Sequence, residues 1–213
     1  KGSNYTNWLW ALKEGWRSIA IENGVDTTDE NRYLCFEPIE NGLTISMINQ
    51  NRNLYYKVNN GEWQTLSIGG VTQEFNVGQK IYFKGDSISS SSGIGTFVFN
   101  KNVKASGPVE SLVGQCNILK SPLISLFKDC KNLIQAPRLA ALSLCPQAYY
   151  GMFENCTSLV EAPELPASVL SDYCYYAMFK GCTSLIKAPK LLATKMTNFC
   201  YAFMFNDCTS LIE

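Results

Sequence analysis

Hydrophobic positions along the chain follow two different patterns. Over residues 33–99 they come in short runs rich in β-branched and aromatic side chains, at 33–38, 43–48, 53–58, 73–77 and 80–85. Between the runs stand Glu40-Asn41-Gly42, Asn59-Asn60-Gly61 and Asn76-Val77-Gly78, which punctuate at hairpin spacing. Such runs predict an antiparallel β-sandwich, assigned here to residues 32–107. Ahead of them, residues 7–21 place Trp8, Leu12, Trp16 and Ile19 on one stripe, so 1–31 is expected to be an N-terminal helical segment packed on the sandwich.

Beyond residue 108 the pattern repeats itself. Phe127, Phe153, Phe179 and Phe205 stand at intervals of 26, and so do Cys130, Cys156, Cys182 and Cys208, and Leu133, Leu159, Leu185 and Leu211. Pro137, Pro163 and Pro189 keep the same step. A fixed interval of this size predicts stacked supersecondary units, none of which could bury its apolar face alone. Within one unit, Leu170, Cys174 and Met178 fall at i, i+4 and i+8 and predict a short helix. Ser171 and Thr197 occupy the expected N-cap, while Asp129, Asn155, Gly181 and Asp207 occupy the expected left-handed stop. The following Leu-x-x-Ala-Pro-x-Leu predicts a strand with Leu159, Ala162 and Leu165 inward and, because of the proline, a sparse ladder.

The string Phe-x-x-Cys-Thr-Ser-Leu-x-x-Ala-Pro-x-Leu-Pro, fullest at 153–166, resembles the repeat of the BspA-like leucine-rich-repeat surface proteins of anaerobic gut and oral bacteria. The likeness covers about residues 121–213; the first copy departs from it with Cys-Lys-Asn-Leu at 130–133, and Ala148 replaces the cysteine found at 174 and 200. Residues 54–63 and 78–85 are similar, more loosely, to the small sandwich that precedes such repeats. The resemblance implies an α/β leucine-rich-repeat solenoid over 108–213, preceded by the antiparallel β-sandwich. It also implies an adhesin-like protein, extracellular or on the outer cell surface and lipid-anchored in its precursor. The chain stops inside a repeat, as a piece of a longer protein would.

Composition narrows the chemistry. Eighteen basic and eighteen acidic residues cancel and no Lys/Arg cluster occurs, which argues against nucleic acid as a partner. No apolar run reaches the roughly twenty residues of a transmembrane segment. The chain has no histidine, so imidazole bases, imidazole-ligated metals and imidazole pH switches are excluded. Nine cysteines, odd in number and thinly spread, lack any Cys-x-x-Cys pair, and neither zinc nor another cofactor is expected. Helix geometry would hold Cys174 and Cys182 roughly 10 Å apart, beyond disulfide reach. They are read as small buried thiols. Asn155-Cys156-Thr157 and Asn4-Tyr5-Thr6 match glycosylation sequons, but Asn155 is better explained as a helix stop.

Binding is expected rather than turnover, and no catalytic residue is assigned. A repeat array exposes the same positions on each unit, here Ile134, Val160 and Ile186, then Gln135, Glu161 and Lys187, then Arg138, Glu164 and Lys190. These nine form the candidate site for a host or bacterial surface protein. Their charges alternate along the stack (Glu161, Lys187, Glu213; Arg138, Glu164, Lys190), so neighbours are expected to offset one another. The alternative partner is a glycan, on a platform of Tyr55, Tyr56 and Trp63. Glu161 and Glu164 as an acid/base pair is the weakest reading. The Ser/Gly stretch 86–95 lacks a phosphate-binding lysine and is read as a loop.

Overall fold

The computed structural model describes residues 29–86, 93–114, 118–119 and 122–212. The predicted helix over 7–21 and most of the Ser/Gly stretch lie outside them, as do Cys116 and Glu213. A single helical turn, Asp29–Arg32, leads into strands β1 (Leu34–Pro38), β2 (Ile45–Ile48), β3 (Leu54–Val58), β4 (Gln64–Leu66), β5 (Ile81–Lys84), β6 (Thr96–Phe99) and β7 (Val103–Ser106). After a 3-10 turn, Val109–Leu112, come β8 (Ile118–Leu119), β9 (Leu133–Gln135) and β10 (Ser143–Leu144).

One mixed sheet runs β4-β3-β5-β1-β7-β9, and β2 with β6 forms a two-stranded antiparallel ribbon. Alternation explains the layering: Leu34 and Phe36 of β1 and Phe83 of β5 are fully buried. Phe36 meets Phe83, Phe97 and Phe99 edge-on at 5.0–5.5 Å, so its ring links the sheet to the ribbon. The expected sandwich is corrected in one respect. The sheet is not purely antiparallel, because β9, at the start of the first repeat, pairs parallel with β7. The apolar core is continuous across residue 107, and Arg138 N–H donates to the Gly107 carbonyl there (2.9 Å).

The repeats stack, but not as an α/β solenoid: among the described residues of 108–212 the only helix is the 3-10 turn at Val109–Leu112, and the predicted helices are absent. Where Leu170, Cys174 and Met178 were expected on a helix, the backbone instead turns every four residues. Positive φ recurs at Gln147, Gly151 and Asn155, again at Tyr173, Ala177 and Gly181, and again at Phe199, Phe203 and Asp207. A left-handed residue at every fourth position interrupts α-helix hydrogen bonding, and for non-glycine residues it costs about 1–2 kcal/mol each. Two sets of bonds offset that cost. Alternate N–H groups close i to i−3 turns, as Ala148 to Cys145 and Met152 to Tyr149 (both 3.2 Å). The N–H groups between them reach the next rung, as Tyr149 to Cys174 (2.8 Å), Gly151 to Tyr176 (2.8 Å) and Phe153 to Met178 (2.9 Å). Every other residue therefore belongs to a ladder between rungs, much as in a sheet.

The i, i+4, i+8 stripe survives because a four-residue turn also returns it to one side: Leu170, Cys174 and Met178 are buried. The expected caps do other work. Ser171 Oγ donates to the Leu144 carbonyl of the rung before (2.8 Å), and Thr197 Oγ1, buried, has no partner among the described residues. The expected left-handed positions do occur, with φ of 60° to 73° at Asp129, Asn155, Gly181 and Asp207. Asn155 Nδ2 donates to Asp129 Oδ1 (2.8 Å), and a Cβ at Gly181 would overlap Asn155 Oδ1. The strand side is sparse, with single parallel bridges at Glu161–Lys187 and Leu165–Leu191.

Side chains repeat the register. Phe127, Phe153, Phe179 and Phe205 stack face to face at 5.5–5.8 Å with planes within 5°. Each cysteine three residues on donates its thiol to the phenylalanine carbonyl of the rung before: Cys156 to Phe127, Cys182 to Phe153 and Cys208 to Phe179, all 3.0 Å. The first member is supplied by the sheet region, since Phe97 of β6 stacks on Phe127 (5.6 Å) and accepts the Cys130 thiol (3.0 Å). Glu110 completes the join. It is fully buried, and its Oε1 accepts Ala140 N–H (2.8 Å), Ala141 N–H (3.0 Å) and the Tyr149 hydroxyl. Desolvation raises its pKa above the usual carboxylate value, against the pull of the donors.

Candidate functional site

The nine strand-face candidates separate into two groups. Gln135 Nε2 donates to the Ala105 carbonyl (3.1 Å) and Arg138 Nη2 to the Asn31 carbonyl (3.1 Å), so these two tie the first rung to the sheet region. Ile134 beside them is half-buried. Glu161, Glu164, Lys187 and Lys190, exposed like Gln135 and Arg138, instead line a groove of about 530 Å³ between the second and third rungs. Val160 and Ile186, 44% and 42% exposed, lie next to Glu161 and Lys187 in the chain and are joined by a bond from Ile186 N–H to the Val160 carbonyl (3.1 Å).

Three prolines build the groove floor. Pro163, Pro166 and Pro189, with Ala162, Ala188, Leu165 and Leu192, present apolar surface and lack three backbone donors that would otherwise pair rung to rung. The carboxylates stand on one rung and the ammonium groups on the next, so one side of the groove is acidic and the other basic. Among the described residues neither Glu164 nor Lys190 takes part in an ion pair within 4 Å. A charge offset at the same interval stands on the turn side, where Glu154 pairs with Lys128 (2.8 Å) and Lys180 (3.6 Å). Positions 128, 154 and 180 share the interval of 26, and that interval was the signal available in the sequence.

The aromatic trio does not form one platform. Adjacent strand residues face opposite ways, and Tyr56 is buried, its ring stacked on Phe83 (5.7 Å) and its hydroxyl donating to Gln64 Oε1 (2.8 Å). Tyr55 and Trp63 are half-buried on the outer face. Lys84 Nζ lies 4.2 Å from the Trp63 ring centre and 5.9 Å from that of Tyr55, and Lys57 Nζ lies 5.3 Å from Trp63. Tyr33 packs edge-on against the indole (5.0 Å). Lys57 also pairs with Asp29 (2.6 Å) and Lys80 with Glu30, so this cluster holds the helical turn Asp29–Arg32 against the sheet.

A second aromatic row escaped the sequence reading. Tyr150 stacks on Tyr176 (4.7 Å) and Tyr173 on Phe199 (5.1 Å), with Phe203 edge-on to Tyr176 (5.5 Å). The stacked pairs leave no open face between their rings, while Phe199 and Phe203 of the last rung are exposed.

Every described cysteine is a free thiol. Burial pushes Cys130 and Cys182 up to about 12 and Cys174 up to about 11, far from the thiolate a nucleophile needs. Among the described residues no three His, Cys, Asp or Glu side chains group as metal ligands would, and no helix is long and apolar enough to cross a membrane. No family model, curated protein or solved structure matches the chain.

Proposed function

We propose that this chain is a non-enzymatic protein-binding module that docks a partner in the groove between its second and third rungs. The observation that carries the reading is the groove's makeup: an apolar floor of prolines, alanines and leucines, edged by four exposed charges. Apolar centres with polar rims are the anatomy of protein interfaces. Exposed Leu192, Val160 and Ile186 extend the apolar surface. Glu161 and Glu164 lie open to water beside Lys187 and Lys190, without the enclosure that a carboxyl acting as general acid requires. The BspA-like repeat string supports placing the chain among adhesin-like surface proteins, outside the cell and lipid-anchored. That part rests on the motif alone, since a fold does not fix a function.

Binding of the purified chain to immobilised matrix proteins, measured by biolayer interferometry beside a glycan array, tests the reading. Leu192→Glu is expected to abolish protein binding, and Trp63→Ala to leave it unchanged. Glycan binding that disappears with Trp63→Ala, with no protein bound, would overturn it in favour of the sheet face.

A further inference from the structure

We infer that the groove takes a polypeptide in the polyproline II conformation, with a basic side chain at every third position along one face and an acidic one along the next. The inference rests on the protein-binding reading above and names its partner. What carries it is a step of three residues along the groove wall. In the second rung Glu161 and Glu164 are exposed, Pro163 and Pro166 are half-buried, and Ala162 and Leu165 are half-buried and buried. Strand alternation would turn Glu161, Pro163 and Leu165 to one side, yet these three are exposed, half-buried and buried in turn. The sequence has the same step, Glu-Ala-Pro followed by Glu-Leu-Pro over 161–166. Proline holds φ at about −65° at Pro163 and Pro166 and confines Ala162 and Leu165 before them to extended or polyproline II backbone. The bridges to the next rung are single ones, Glu161–Lys187 and Leu165–Leu191, rather than a strand ladder.

A polyproline II chain turns once every three residues, so side chains on one of its faces recur every 9 Å or so, about 3.1 Å per residue. Glu161 and Glu164 are spaced by the same step, and basic side chains at i and i+3 of the ligand meet both. An extended strand returns a side chain to one side after about 6.6 or 13 Å and meets only one of them. The ligand's two other faces turn toward the floor and the third rung. Pro163, Pro166, Pro189 and Leu192 give apolar contact to the first. Lys190, which pairs with no described residue within 4 Å, attracts an acidic side chain on the second. Lys187 has an interaction of its own and is assigned no ligand group. Reversing the ligand's direction exchanges these two faces, so the acidic residue can precede or follow the basic one.

Fluorescence anisotropy with two labelled peptides of equal length, composition and net charge tests the inference. Four repeats of Lys-Glu-Pro place lysines three apart, whereas two repeats of Lys-Glu-Lys-Glu-Pro-Pro place them at even separations, none of them three. The prolines keep both from forming a helix. The first peptide is expected to bind at least about three-fold tighter, exposed charge pairs each contributing a modest factor. E161Q/E164Q should remove that preference, and Lys190→Gln should weaken the first peptide by a smaller factor. All three positions are exposed, so folding is spared, and circular dichroism checks this. Equal binding of the two peptides, binding of neither, or a preference that survives E161Q/E164Q would sink the inference. Leu192→Glu then decides the protein-binding groove separately: weakened matrix-protein binding leaves it standing, and indifference removes it.

Discussion

The sheet region and the stacked rungs solve the same problem, pairing every buried backbone group, with partners found in opposite ways. In the sheet each strand needs its own partner at its own sequence distance, as when Leu34 pairs with Phe83 and Cys35 with Ser106. In the rungs one rule serves throughout: Tyr149 reaches Cys174, Phe153 reaches Met178 and Phe179 reaches Met204, each 25 positions on. The cores differ to match. Phe36 meets rings from several directions edge-on, whereas Phe153 meets Phe127 and Phe179 face to face. A sheet places its information in many distinct contacts, while a stack places it in an interval. An error in one rung therefore disturbs two interfaces of the same kind.

The largest test of that contrast is Phe153→Ala, expected to cost about 3–5 kcal/mol by leaving a cavity between two rings. Because one apolar core runs through both regions, hydrogen exchange read by mass spectrometry under mild denaturant should show sheet and rungs losing protection together. A sheet that keeps its protection while the rungs lose theirs would make the two regions independent.

Next in size is Glu110→Ala at the junction, expected to cost about 2–4 kcal/mol because the buried Ala141 N–H and Tyr149 hydroxyl, and the part-buried Ala140 N–H, lose their acceptor. A loss below about 1 kcal/mol in urea titration would mean that the join depends on the ring stack instead. Gly181→Ala follows, at about 1–3 kcal/mol, from a positive φ of 73° and overlap with Asn155 Oδ1. Asn155→Ala should recover part of that loss in the double variant, and purely additive effects would show that the overlap is relieved some other way.

The smallest effect concerns the thiols. Cys182 has its pKa raised from 9.0 to about 12 on folding, so its contribution is fully present below pH 9 and is lost as pH rises toward about 12. Urea midpoints should therefore fall over that window, less steeply in Cys182→Ala. Cys182→Ser, which keeps a donor for the Phe153 carbonyl, should be more stable than Cys182→Ala at neutral pH; the reverse order would reduce the ladder thiols to filler.

Much of the repeat half was legible because an interval leaves its mark at every position it constrains. Phe153, Cys156, Leu159 and the left-handed Asn155 could all be read from it. The conformation between them could not. Over eight residues a helix of 3.6 per turn and a chain turning every four bring Leu170, Cys174 and Met178 to the same side. Only bonds to the next rung favour the second, and those bonds join residues distant in sequence. Tyr55 and Tyr56 failed as joint site residues for a local reason, strand alternation, that a firmer strand assignment would have caught. Glu161, Glu164, Lys187 and Lys190 were legible as exposed repeat positions, but not as the edges of a groove.

By itself, then, the sequence determined the interval of 26, the order of phenylalanine, cysteine and leucine on each rung, and the exclusion of imidazole chemistry. Tertiary structure alone decided that turns rather than helices carry the ladder and that Phe97, outside the interval, begins the ring stack. It also decided that two rows of opposite charge border one groove. The physical reason is the same for all three: a repeated residue type records which positions face the core, but backbone pairing and the meeting of separate rungs depend on distances that exist only once the chain has stacked.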